Sequence, residues 1–282
     1  MARVLLAGAT GTLGRAAIGQ LKQRGDFVRG LGRFVPTLRR LPLDETFEGD
    51  LTNPESLEGC CDGIDTVISC AGASMRLDTW GDQLSFTAVD FAGNRNLLAE
   101  AQRASVAKFV YVSLHAAESL LYTEYARAHE RFVELLRRSG LPFTVVRPTG
   151  FFSFFGEILR MAQKGQGIVL GSGAARTNPV HEDDVAAVCA EAVRSAESEI
   201  SVGGPDTFTR REIVELAFEV VGKTPRIRKI SPWLFRGLTA PVRLLNPRIH
   251  SLMAFGAAVS VIDVVAPAVG RRDLRTCFHS LL

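Results

Sequence analysis

No long lysine or arginine block runs through this sequence, and 33 basic residues stand against 30 acidic ones, a formal net charge of only +3. A chain so nearly balanced lacks the electrostatic footprint of a nucleic-acid binder, so no nucleic-acid partner is expected. Cysteine is scarce and unpatterned. Cys60, Cys61, Cys70, Cys189 and Cys277 show no repeated zinc-ligand spacing, and their odd number argues against a disulfide scaffold. Cys60 and Cys61 read as ordinary thiols at a helix end, and the set fits a reducing cytoplasm. The hydrophobic stretch and cleavage pattern of a signal peptide are also missing, since Met1-Ala2-Arg3 leads straight into an apolar strand. No apolar run matches a bilayer span of ~20 residues. The nearest, Leu252 to Val269, is interrupted by Asp263, weakened by Gly256 and limited by Pro267. A central carboxylate is costly in lipid, so a buried helix is expected there, with peripheral membrane contact as the alternative.

What is present is a globular composition, 46% hydrophobic and 22% charged over 282 residues, enough for a large core with a smaller lobe. Val4-Leu5-Leu6-Ala7 reads as a buried strand, a glycine-rich loop follows, and Arg15 to Arg24 reads as a helix that packs its Ala16, Ala17 and Leu21 side on a sheet. Gly25 and Asp26 stop it, and Phe27 to Leu31 supplies a second strand, completing a right-handed βαβ unit. Further apolar strands are expected at Asp65 to Cys70, Lys108 to Ser113 and Phe143 to Val146, with covering helices at Leu84 to Arg103 and Thr123 to Ser139. Continuous apolar strands belong in a parallel sheet covered on both faces. The second half carries a helix around Glu157 to Lys164, another over Glu182 to Ala196, and a capping box, Thr209 to Glu212. The chain thus divides into a core over 1–150, an insertion over 151–181, a return to the core over 182–207 and a C-terminal lobe over 208–282.

Gly8, Gly11 and Gly14 are spaced G-x-x-G-x-x-G in the loop Gly8-Ala9-Thr10-Gly11-Thr12-Leu13-Gly14, directly after the first strand. Gly8 makes the tight turn, Gly11 lets a diphosphate approach the backbone, and Gly14 brings the helix close to the strand. The helix then turns its free N–H groups and positive end toward an anion. A ligand-free βα connection remains the alternative; a P-loop is disfavoured because its Lys-Ser/Thr pair is absent. At the end of the second strand, Arg29 to Arg33 contains no acid to hold a ribose hydroxyl. Arg33 instead suits the 2'-phosphate of NADP, so NADP is expected over NAD.

Val4 to Gly14, Gly49-Asp50-Leu51-Thr52, Ser69 to Gly72, Arg147-Pro148-Thr149-Gly150 and Asn178 to His181 together resemble the atypical short-chain dehydrogenase/reductase superfamily, in its NmrA-like, sugar-epimerase-like branch. The resemblance implies an α/β fold, a Rossmann-like parallel sheet with helices on both faces and a smaller, mainly C-terminal substrate lobe. By it, Asp50 and Leu51 lie by the adenine, Cys70, Ala71 and Gly72 border the cofactor, and Pro148, Thr149, Gly150 and Phe151 approach the nicotinamide. Solvent capping by Asp50, strand packing by Cys70 and turn formation by Pro148 are the plainer readings of the same residues. Active branches of the superfamily use a Ser or Thr with a Tyr-x-x-x-Lys pair. Here Ser113 precedes Tyr125, but His129 stands where lysine is expected, and Tyr122 is a nearby competing phenol. Tyr125 and His129 share a helix face, and a histidine there is open to ribose binding or proton exchange.

The expected function is therefore an NADP-dependent oxidoreductase acting on an apolar or aromatic small molecule, with Phe151, Phe152, Phe154 and Phe155 covering the nicotinamide or substrate. A non-enzymatic redox sensor with a regulatory protein partner, a cofactor-stabilised scaffold and an epimerase-like enzyme stay open. No metal is expected: His181-Glu182-Asp183-Asp184 reads as a helix start, and Glu215 with Glu219 as a solvated face.

Overall fold

In the computed structural model, which describes residues 1–75 and 83–282, Val4 and Leu6 enter one buried cluster while Leu5 and Ala7 enter another. A strand apolar on both faces has to be covered on both, and the architecture follows from that. In chain order come β1 (Arg3–Ala7), α1 (Thr12–Gln23), β2 (Phe27–Gly32), α2 (Val35–Leu38), β3 (Glu45–Glu48), β4 (Thr66–Ser69), α3 (Asn94–Arg103), β5 (Lys108–Val112), α4 (Glu124–Arg138) and β6 (Phe143–Pro148). The chain then leaves the sheet through α5 (Phe152–Gln163), β7 (Gly167–Leu170) and β8 (Arg176–Thr177). It returns through α6 (Glu182–Ala192) and β9 (Glu199–Val202). It finishes as β10 (Phe208–Thr209), α7 (Arg210–Val220), β11 (Ile227–Ile230), α8 (Pro232–Thr239), α9 (Val242–Leu245), α10 (Pro247–Val259) and α11 (Leu274–Ser280).

Seven strands form one sheet in the order β3-β2-β1-β4-β5-β6-β9, every neighbouring pair parallel. Its strand order reverses between β1 and β4, the switch point at which such sheets bind ligands beyond their carboxyl ends. α1 and α6 cover one face through Ala17, Leu21, Val185 and Cys189, and α3 and α4 cover the other through Leu97, Leu98, Phe132 and Leu136. The expected α/β sheet with helices on both faces is what the chain builds.

A separate apolar cluster joins Phe152, Phe155 and Leu159 of α5 to Ile213, Val214 and Phe218 of α7 and Phe278 of α11. The capping box is formed: Thr209 Oγ1 accepts from Glu212 N while Glu212 accepts from Thr209 N. α10 returns to α4, where Phe255 meets Tyr125 with ring centroids 4.5 Å apart.

Two expected helices differ. In place of one helix over Leu84 to Arg103, a π-helical turn over Thr87–Gly93 runs into α3. Asn94 Nδ2 donates to the Asp90 carbonyl at 2.9 Å, a side-chain bond that competes with the regular ladder. The stretch Leu252 to Val269 is not one helix either. α10 ends at Val259, Asp263 Oδ1 accepts from Arg176 N at 2.7 Å, and Val264 and Ala268 then bridge Thr177 and Gly203. The carboxylate finds its donors at a bend that a continuous helix would not provide. Among the described residues no helix is long and apolar enough to cross a membrane.

Candidate cofactor and substrate sites

The three glycines have three separate physical reasons. Gly8 has φ +80°, and a Cβ on it would lie 2.8 Å from the Cys70 carbonyl group at the end of β4. A Cβ on Gly14 would lie 2.1 Å from the Gly8 carbonyl oxygen, so the helix sits as close to the turn as backbone allows. Gly11 meets only Gly8 O, at 3.3 Å, and faces a groove. Gly11 is also the N-cap of α1 and supplies no side-chain cap, and the first turn of α1 contains no acid. Backbone N–H groups at a positive helix end are therefore left for an anion, which fits a dinucleotide diphosphate.

The groove encloses about 250 Å³ and is lined by Gly8, Thr10, Gly11, Arg33, Asp50, Leu51, Cys70, Ala71 and Gly72, continuing to Ser74. Thr12 and Leu13 are not on its wall. Thr12 is exposed, and Leu13, on the second position of α1, turns its side chain into the core, so these two offer backbone alone. Arg33 is exposed on the wall with no ion pair among the described residues. Arg29, by contrast, is buried, paired with Glu45 at 2.8 Å and donating to the carbonyls of Cys60 and Asp62. Asp50 holds its own turn by accepting from Thr52 N and Oγ1 on Oδ1. Cys60 and Cys61 are wholly buried.

A second cavity, also about 250 Å³, lies under the C-terminal lobe and is largely apolar, walled by Phe154, Phe155, Ile158, Ile168 and Val214. Pro148, Thr149, Gly150 and Phe151, expected beside the cofactor, line this cavity and not the groove. The register of β6 accounts for it: Pro148 ends the strand, and Thr149 and Phe151 turn toward β9 and Val180, carrying the chain under the lobe. Ser113 and Tyr125 are on the same wall. Ser113 has only long contacts, with Glu130 Oε1 at 3.4 Å and Arg147 Nη1 at 3.5 Å. Beneath it Arg147 and Glu130 pair at 2.5 and 3.1 Å, and Arg147 Nε also reaches Glu199. Burial pulls the Arg147 guanidinium down, but the bonds to Glu130 and Glu199 more than offset it, and its pKa is raised.

Tyr125 packs against Phe86, His129 and Phe255, and its hydroxyl bonds to no other group among the described residues. Burial, with a smaller contribution from the Asp90 charge, raises its pKa well above the ordinary phenol range. His129 is close to Tyr125 in space, with ring centroids 4.6 Å apart, but lines neither cavity. It is buried, sharing a 2.7 Å hydrogen bond between Nδ1 and the Tyr111 hydroxyl, with Nε2 3.2 Å from Asp90 Oδ1. That Nε2 contact is out of line for a hydrogen bond. The ribose-holding role does not suit this placement; His129 ties β5, α4 and the Asp90 turn together. Tyr122 is exposed and lines neither cavity. His181 caps α6, accepting from Asp183 N.

Sequence reasoning missed Asp90, Glu130 and Arg210. Asp90 lies under the groove wall, accepting from Ala73 N and leaving no room for a Cβ on Gly72. Arg210, in the second cavity, was visible only as part of a capping box.

A profile of the NAD(P)H-binding family matches residues 8–196. The chain is 26% identical over 255 residues to divinyl chlorophyllide a 8-vinyl-reductase, chloroplastic, of Arabidopsis thaliana, a match over 80% of this chain and 59% of that protein, so the chain spans about three fifths of that relative. It is 27% identical over 240 residues to photosystem II assembly factor Ycf39 of Trieres chinensis, covering 83% of this chain and 73% of that protein. The triphenylmethane reductase of Citrobacter sp., solved in complex with NADP(H), matches at a TM-score of 0.79 over 99% of this chain and 100% of that one, at 19% identity, a likeness of fold.

Proposed function

The chain belongs to the NAD(P)H-binding family within the atypical short-chain dehydrogenase/reductase superfamily, and from that premise we propose that it is an NADPH-dependent oxidoreductase that reduces an apolar or aromatic small molecule. The observation that carries this reading is a shared wall: Ser74 lines the dinucleotide groove, and Met75, the next residue, lines the apolar cavity that Ser113 and Tyr125 also line. A dinucleotide held in the groove by Gly8, Gly11 and Arg33 would supply a hydride from its nicotinamide. Tyr125, kept protonated by its surroundings, donates a proton to the substrate oxygen on which negative charge develops. Ser113, only loosely held, turns its hydroxyl to the same oxygen. A phenol with raised pKa and no lysine beside it among the described residues stays protonated at neutral pH, so it stands ready as the proton donor that reduction needs and is not populated as the phenolate base that alcohol oxidation needs. The test is loss of NADPH absorbance with purified protein across a panel of quinones, aldehydes and aryl ketones. Tight NADPH binding with no turnover on any of them would count against it.

The choice of NADPH over NADH rests on Arg33. A charge-assisted contact to the 2'-phosphate contributes about 1.5–3 kcal/mol. Arg33→Ala is therefore expected to weaken NADPH binding about tenfold or more and to leave NADH binding unchanged. Fluorescence titration with both cofactors reads this directly, and an equal loss for the two would remove Arg33 from the phosphate.

One observation favours a second reading. His129 occupies the lysine position yet is committed to Tyr111, which suits a redox sensor that holds the cofactor without turnover. Such a protein would bind NADPH unchanged after Tyr125→Phe and pass its state to a protein partner.

A further inference from the structure

Arg210 is the first residue of α7, where a cation opposes the helix dipole, and it lines the apolar cavity beside Ile213, Val214 and Phe154. Burying a guanidinium is costly unless its donors are met. Here Nη2 donates to the Val259 carbonyl at 2.8 Å, while Nε is buried with no acceptor. No carboxylate among the described residues lies within 4.0 Å of it. The charge of Asp263 reaches Arg210, but its carboxylate is held by Arg176, at 2.7 Å from the backbone N–H and 3.0 Å from Nη2. Burial pushes Arg210 down to about 10, which leaves it charged at neutral pH. Arg147, below the same cavity, is neutralised by Glu130 and Glu199. Among the described residues, Arg210 is the cation in this cavity wall that no carboxylate neutralises.

We propose that this cavity takes a ligand with an apolar body and one carboxylate, the carboxylate pairing with Arg210. The inference rests on the reading of this cavity as the substrate site and narrows its substrate class to apolar acids. The test is calorimetric titration of the NADPH-loaded protein with benzoate, cinnamate and decanoate, each against its neutral primary amide. At least one acid is expected to bind about tenfold or more tightly than its amide. Arg210→Met should abolish that preference while leaving amide affinity and NADPH affinity unchanged, and Arg210→Lys should retain part of it. Equal binding of acids and amides, binding of neither, or a preference that survives in Arg210→Met overturns the proposal. The two readings fail separately: absence of NADPH binding removes the reductase reading, whereas the acid preference can still be measured on protein without cofactor.

An independent observation concerns the outer face of the C-terminal lobe. Between Glu219 and Asp263 the sequence contains no acidic residue. Within that stretch Trp233, Leu234 and Leu238 of α8 and Leu244 and Leu245 of α9 are exposed, Trp233 by 83% and Leu244 by 88%. Arg226, Arg228, Lys229, Arg236 and Arg243 are exposed in the same stretch, and none forms an ion pair among the described residues. Exposed apolar side chains of this extent mark a contact surface. Uncompensated cations oppose a second copy of the same face and suit an anionic one, and a tryptophan amid leucines and arginines suits the headgroup boundary of a bilayer. We infer that this face rests on an anionic lipid surface. Vesicle flotation tests it: the protein should float with vesicles of phosphatidylcholine mixed with phosphatidylglycerol and not with pure phosphatidylcholine, and Trp233→Ser with Leu244→Ser should lose flotation while keeping NADPH binding. No flotation with the anionic vesicles, equal flotation with both, or a solution dimer that Leu244→Ser dissociates would overturn it.

Discussion

Gly11→Ala is expected to leave the melting temperature within about 4 °C of the parent and to weaken NADPH binding about a hundredfold or more, a loss of about 2.7 kcal/mol. The φ of Gly11 is −72°, which any residue adopts, and its added Cβ meets no protein atom closer than Gly8 O at 3.3 Å. Folding therefore loses only a shift of a few tenths of an ångström in the Gly8 carbonyl and a somewhat weaker N-cap, about 1 kcal/mol together. Binding has much to lose, because the methyl group would stand on the groove wall beside the first-turn N–H groups of α1. Gly14→Ala is the control of opposite sign. Its Cβ would lie 2.1 Å from Gly8 O and 2.8 Å from Ala9 Cα, so backbone has to move. Overpacking of that kind costs about 3 kcal/mol or more, roughly 6–12 °C of melting temperature for a chain of this size. Thermal melts paired with NADPH titration separate the two effects. Gly11→Ala protein that binds NADPH like the parent would place the diphosphate somewhere else.

The parts of this molecule that were legible in its sequence are those where the backbone makes a local demand. Val4 to Ala7 is apolar at every position, and a strand so composed must be covered on both faces wherever it is found. Gly8 and Gly14 are required by contacts within a few residues or by a positive φ. Arg33 stood out by the absence of an acid beside it. What was not legible depends on partners far along the chain. The four-residue spacing puts Tyr125 and His129 on one face of α4, but it does not reveal that Tyr111 of β5 and Asp90 of the π-helical turn meet that face and turn the imidazole away from the cavities. Thr209 to Glu212 reads as a capping box and is one, which hides that Arg210 inside it projects into an apolar cavity. The apolarity of Leu252 to Val269 suggested a helix because composition carries no trace of the Arg176 backbone that Asp263 accepts from.

Tyr125→Phe is expected to lower NADPH-dependent turnover by about 10²- to 10⁴-fold, the usual contribution of a positioned general acid, without changing NADPH affinity or stability. Stability is spared because the Tyr125 hydroxyl has no hydrogen-bond partner among the described residues, so removing it leaves no buried donor or acceptor unmet. Its ring contacts with Phe86 and Phe255 are kept by phenylalanine. The pH dependence gives an independent check on the proton's source. Only the protonated phenol donates, and burial followed by the Asp90 charge raises its pKa. Reduction should accordingly stay level from about pH 6 to 9 and fall only above the ordinary phenol pKa of about 10. A relay in which a neighbouring cation depressed the phenol would instead lose its donor near neutral pH. Turnover in Tyr125→Phe equal to the parent would move the proton to another group, and a parent profile falling between about pH 6 and 8 would mean that Tyr125 is not the group that titrates.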